Sequence, residues 1–152
     1  MTAISGSPTV VARWVRLGLV ALAVPQFVTG AWALVDASNW FDNFPGVGPT
    51  LVAAEPPFNA HLAADAGAGF LTTAVVLLLA AWWGDQRSVL LGLAGYSAFA
   101  IPHLIYHAAN PAPGLSASED VTNVVVLALG AAFPLLLVRG TLRHGDRQCE
   151  TS

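Results

Sequence analysis

Charge is scarce in this chain. Only 10% of its 152 residues are Asp, Glu, Lys or Arg, while 55% are hydrophobic. A water-soluble domain carries about 25% charged residues, so a surface wetted on all sides is excluded. Lysine is absent altogether, and all six basic residues are arginines. The net charge of -3 supplies no basic face, which argues against a nucleic-acid partner. Cysteine occurs once, at Cys149, so no disulfide closes within the chain. Walker loops, a GxSxG nucleophile elbow and CxxC pairs are also missing from the sequence.

What the chain has instead is long apolar runs. A bilayer core of about 30 Å takes about 20 apolar residues in a helix. Four stretches meet that length: about Trp14 to Val35, Ala60 to Trp83, Val89 to His107 and Val121 to Val138. Mean hydropathy is +0.64. Asn59 is placed to cap the second run, and Gly84 suits its C-terminus. Ser116 and Glu119 have capping-box spacing before the fourth. Asn110-Pro-Ala-Pro-Gly114 breaks the chain between the third and fourth.

The expected fold is therefore an all-α, up-down-up-down four-helix transmembrane bundle spanning residues 13–139. Residues 1–12 and 140–152 form short tails, and residues 36–58 form a long external loop. Arginine placement sets the orientation. Arg13 and Arg16 precede the first span, Arg87 lies between the second and third, and Arg139, Arg143 and Arg147 follow the fourth. With four spans all six fall on one side, which the positive-inside rule makes cytoplasmic. The expected location is the plasma membrane, with both termini inside. A competing reading takes Arg13, Arg16, the apolar run and Ala31-Trp-Ala33 as a cleaved signal peptide, leaving three spans. In the external loop, Trp40, Phe41, Phe44 and Phe58 read as an aromatic belt at the headgroups, with a lid over a pocket as the sharper alternative.

The ionisable residues of the spans carry the functional signal. His61 and Asp65 open the second span one turn apart, and Thr72 continues their stripe. His103 and His107 close the third, again at i and i+4, with Tyr96 on the same stripe. Glu119, Asp120 and Asn123 open the fourth, and Asp36 ends the first. Topology puts all of them at one depth, in the outer leaflet. Polar groups there are costly against lipid and are expected to face the bundle interior.

Three readings of this layer stand open. In the first, His61, Asp65, His103 and His107 hold a divalent metal such as zinc, iron or copper. Asp36, Tyr96, Glu119, Asp120 or Asn123 then supply a further or outer ligand, and a metal-bound water or an oxidised substrate is the centre of any chemistry. In the second, His61 pairs with His103 or His107 on a b-type haem. In the third, no cofactor is bound, and the cluster is a hydrogen-bonded network that organises a non-catalytic accessory or lipid-binding protein. That third reading also admits a small pocket for a polar molecule or lipid headgroup.

Asp36-Ala-Ser-Asn-Trp-Phe-Asp-Asn-Phe-Pro-Gly-Val-Gly48, Asn59-Ala-His61-Leu-Ala-Ala-Asp65 and Pro102-His-Leu-Ile-Tyr-His107 together carry a resemblance. Over most of residues 13–139 the chain resembles uncharacterised four-helix membrane proteins of actinobacteria. More distantly it is similar to the DoxX-like group. The resemblance implies four helices and carries no catalytic residue across.

Overall fold

A computed structural model describes the backbone of residues 10–150 and the side chains of residues 10–143. Among the described residues five helices follow in order: α1 (Arg13–Val35), α2 (Ala37–Asn43), α3 (Ala60–Trp83), α4 (Gln86–Ala109) and α5 (Ala117–Glu150). Four of them are long and apolar enough to cross a membrane. No strand is present among the described residues. The chain is a multi-pass membrane protein built as an all-α four-helix bundle.

Local chemistry explains where the helices begin and end. Asn59 accepts a bond from the Leu62 amide at 3.1 Å and starts α3. Gly84 ends it in the left-handed region, at φ 67°, where a side chain is strained. Asp85 then accepts the Arg87 and Ser88 amides, each at 3.1 Å, and starts α4. Ser116 and Glu119 close the expected capping box before α5: the Ser116 amide and hydroxyl donate to Glu119 Oε2 at 2.8 and 2.6 Å. Pro25, Pro102 and Pro134 all lie inside continuous helices. The third and fourth spans are longer than their apolar runs. Asp85 and Ser116 cap them several residues early, and α5 runs on through the arginine-bearing segment expected to be a tail.

Most large apolar side chains point outward. Trp82, Leu91, Val126, Leu129 and Leu135 are all exposed. Their outward position fits a hydrocarbon solvent and would be unsuited to water. The buried core is narrow and made of small or branched residues, among them Val15, Leu19, Leu77, Val89, Leu93 and Leu137.

The helices are antiparallel. Arg16 of α1 donates through Nε to the Ala81 carbonyl at 2.7 Å and through Nη2 to the Trp82 carbonyl at 3.2 Å. At the other end of the same pair, Gly30 meets Gly67. The Val11 amide donates to the Gly84 carbonyl at 2.8 Å, tying the chain before α1 to the α3–α4 turn. Leu137 of α5 packs on Gly18 of α1, and Phe70 of α3 meets Phe99 of α4 with ring centroids 5.1 Å apart. Arg13, Arg16, Arg87, Arg139 and Arg143 consequently gather at one end of the bundle, the arginine end. The α1–α3 connection and the α4–α5 connection lie at the other, the loop end.

The long connection at the loop end is a folded cap. It contains α2, a short helix where the sequence alone predicts loop. Asp36 starts this helix by accepting the Asn39 amide at 3.1 Å. Trp40 is buried against Ala33 and Ala63, with Phe44 and Trp32 packed around it. Phe41 and Phe58 pair at 5.2 Å. The Leu51 amide donates to the Phe44 carbonyl, and the Gly114 amide to the Ala54 carbonyl at 3.2 Å. The aromatics that a belt would spread along the membrane surface are packed mainly on one another and on α1 and α3.

Candidate functional site

The residues expected to form one centre occupy several separate places. His61 Nε2 and Asp65 Oδ2 are 3.4 Å apart on α3, and both side chains are well exposed, at 83% and 66%. The side of α3 that meets α4 is marked by Phe70. At 100° per residue, His61 and Asp65 lie about 180° and 140° round the helix from Phe70. They face away from α4.

His103 and His107 lie on α4 and are half-buried. His103 stacks on Phe99 at 5.3 Å, and the two imidazoles meet edge to face at 4.7 Å. Tyr106 adds an edge contact to His107 at 5.4 Å. Phe70, Phe99, His103, His107 and Tyr106 thus form a continuous ladder of rings toward the loop end. Each such contact contributes about 0.5–1.5 kcal/mol beyond the area it buries.

The outer candidates are engaged locally. Asp36 caps α2. Glu119 completes the Ser116 box. Asp120 accepts the Ala112 amide at 3.3 Å and so pins the α4–α5 connection. Tyr96 is buried and donates to the Gly130 carbonyl at 3.4 Å, linking α4 to α5. Asn123 is half-buried on α5. Thr72 donates to the Ala68 carbonyl within its own helix.

Among the described residues, no three His, Cys, Asp or Glu side chains come together in a group that could hold a metal ion. An i,i+4 histidine pair supplies two ligands at most, and His61 with Asp65 supplies two more on the far side of α3. A haem bridging His61 to α4 meets the same obstacle. Depth was readable from topology; the rotation of each helix about its axis was not. His144 and Cys149 lie outside the described side chains.

Two features of the molecule have little signature in the sequence. One is a set of buried polar atoms without partners: Gln26 Oε1 in α1, and Trp40 Nε1 and Glu55 Oε1 in the cap. Gln26 is the one amide side chain in the first apolar run, and that was the available signal. The other is a groove of about 620 Å³ between α1 and α5. Ala21 and Leu22 line one wall; Leu129, Phe133 and Leu136 line the other, and Arg139 stands at one end. The two helices touch near the arginine end, where Leu137 fills the space over Gly18 and Trp14 lies against Gly140. No protein family, no curated protein and no solved structure matches this chain.

Proposed function

We propose that this is a non-catalytic, lipid-binding protein of the plasma membrane, with both termini in the cytoplasm and an anionic phospholipid held in the α1–α5 groove. The observation that carries this reading is the groove itself: apolar along its walls and closed by a single cation, Arg139. In a bilayer such a surface is covered by an acyl chain. A guanidinium at its end recognises a lipid phosphate through charge-assisted, bidentate hydrogen bonds. Gathering Arg13, Arg16, Arg87 and Arg143 at the same end adds to the local positive potential. It also supports the cytoplasmic assignment of that end by the positive-inside rule. The volume falls in the range of ordinary small-ligand sites, about 300–1,000 Å³.

The polar layer at the loop end is structural in this account. Asp36 and Glu119 cap helices, Asp120 pins the α4–α5 connection, Tyr96 bridges α4 to α5, and His103 and His107 stand in the ring ladder.

The test is native mass spectrometry of protein released from bilayers of mixed phosphatidylglycerol and phosphatidylcholine. Phosphatidylglycerol is expected to be retained in preference. Arg139→Gln should abolish the preference, and Ala132→Trp, which fills the groove, should reduce retention of both lipids. Equal retention of the two lipids by the native chain would sink the proposal.

A further inference from the structure

Both walls of the groove end in a hydrogen-bond donor at the arginine end. On α5, Ala132 lines the groove and Arg139 stands seven residues further on. On α1, Ala21 lines it and Trp14 stands seven residues back. Seven residues make close to two turns, so each donor continues the stripe of its own wall, about 10 Å nearer the arginine end. Trp14 and Arg139 are also neighbours across the interface. The Trp14 ring lies on Gly140, the residue after Arg139, and a Cβ on Gly140 would collide with Cζ2 and Cη2 of that ring. Glycine weakens a helix interior; at position 140 it seats the indole. The indole nitrogen is bonded to the carbon beside Cζ2, so it lies on that side of the ring. Trp14 is 51% exposed. Neither its side chain nor that of Arg139 has a hydrogen-bond or ion-pair partner among the described residues. Trp32 and Arg16, by contrast, are both engaged: Trp32 donates to Asn39 at 2.9 Å and Arg16 to two carbonyls.

We infer that Trp14 is a second headgroup-binding residue of the groove, its indole N–H donating to the phosphate that Arg139 pairs with. The inference rests on the lipid reading of the groove. A guanidinium takes a phosphate along one side, through paired N–H bonds. The phosphate oxygens keep further lone pairs, and the donor from α1 reaches them from the opposite wall. The lipid then bridges α1 and α5 at the end where the two helices touch. The two donors divide the recognition. An indole N–H is an uncharged donor, so Trp14 binds any lipid phosphate and is blind to net charge. The preference for an anionic lipid belongs to Arg139.

The experiment is native mass spectrometry of protein released from bilayers holding phosphatidylglycerol, phosphatidylcholine and diacylglycerol with identical chains. Trp14→Phe keeps an aromatic ring over Gly140 and removes the N–H. It is expected to lower retention of both phospholipids several-fold while leaving their ratio as in the native chain. Diacylglycerol, which has no phosphate, should lose much less. Trp82→Phe, at an equally exposed tryptophan of α3, should change nothing. Phospholipid retention by Trp14→Phe equal to the native chain would overturn the inference. So would an equal loss of all three lipids, which would make the ring a packing element alone. Either result, with the native preference still lost in Arg139→Gln, would leave the groove reading standing. A native chain without any preference would remove that reading and the role of Trp14 together.

Discussion

Gly30 of α1 and Gly67 of α3 meet so closely that Gly30 has no room for a methyl group and one on Gly67 would be tight. A Cβ on Gly30 would lie 2.8 Å from the Gly67 carbonyl oxygen and 2.6 Å from the Leu71 amide nitrogen. Both obstacles are backbone, which cannot swing aside as a side chain does. The contact is the membrane helix pairing expected of small residues. It fixes the loop-end half of the α1–α3 pair, on which the aromatic cap rests.

Gly30→Ala should therefore destabilise the protein by about 1–3 kcal/mol, the usual cost of overpacking. Gly95→Ala is the matched control, because a Cβ there meets nothing within 4 Å. It should be neutral, or stabilising by up to about 1 kcal/mol through helix propensity. Denaturant titration in detergent micelles reads both.

Arg16 closes the opposite end of the same pair. Its guanidinium bonds the Ala81 and Trp82 carbonyls, which the last turn of α3 leaves without helical partners. Arg16→Ala should cost about 1.5–3 kcal/mol, the range for hydrogen bonds to a charged group. Arg16→Lys should recover only part of this, since an ammonium lacks the fork that spans both carbonyls. Thermal unfolding followed by circular dichroism checks the order of the three proteins.

Asp85 gives a pH dependence with a definite sign. The Ser88 hydroxyl and amide, together with the Arg87 amide, hold its carboxyl below the ordinary aspartate value. A carboxyl depressed in the folded state adds stability that is fully present above its unfolded pKa. That stability is lost as pH falls through the lower, folded value. Between pH 7 and pH 3 the native protein should therefore lose more thermal stability than Asp85→Asn, whose cap does not titrate. Parallel slopes for the two would contradict the assignment.

His103 separates a packing role from a ligand role. Stacked on Phe99 and met edge to face by His107, it contributes as a flat ring. His103→Ala should destabilise by about 1 kcal/mol or more, and His103→Phe should stay close to the native chain. Equilibrium dialysis with zinc adds a second readout. A stoichiometric site lost in His103→Phe would restore the metal reading.

Much of the architecture was written in composition and punctuation. The four spans follow from apolar length, and Asn59, Gly84, Ser116 and Glu119 mark their ends through the capping chemistry that the structure displays. The seven residues of α2 were not legible, because so short a helix has no periodicity and depends on Asp36 and on burial of Trp40. The site was half legible. Counting residues from the helix ends places His61, Asp65, His103 and His107 near one depth. It says nothing of azimuth. These helices are apolar nearly all round, so sequence supplies no moment to orient them. Close contacts such as Gly30 with Gly67 and Phe70 with Phe99 set the rotation instead.

Orientation is the premise on which the lipid reading stands, and thiol labelling in intact cells tests it most directly. Cys149 lies in the last turn of α5, beyond the arginines at that end, and Val47→Cys places a second thiol on the exposed cap at the loop end. A membrane-impermeant maleimide should label Val47→Cys in intact cells and reach Cys149 only after permeabilisation. Labelling of Cys149 in intact cells, with Val47→Cys protected, would invert the molecule and remove Arg139 from the cytoplasmic leaflet.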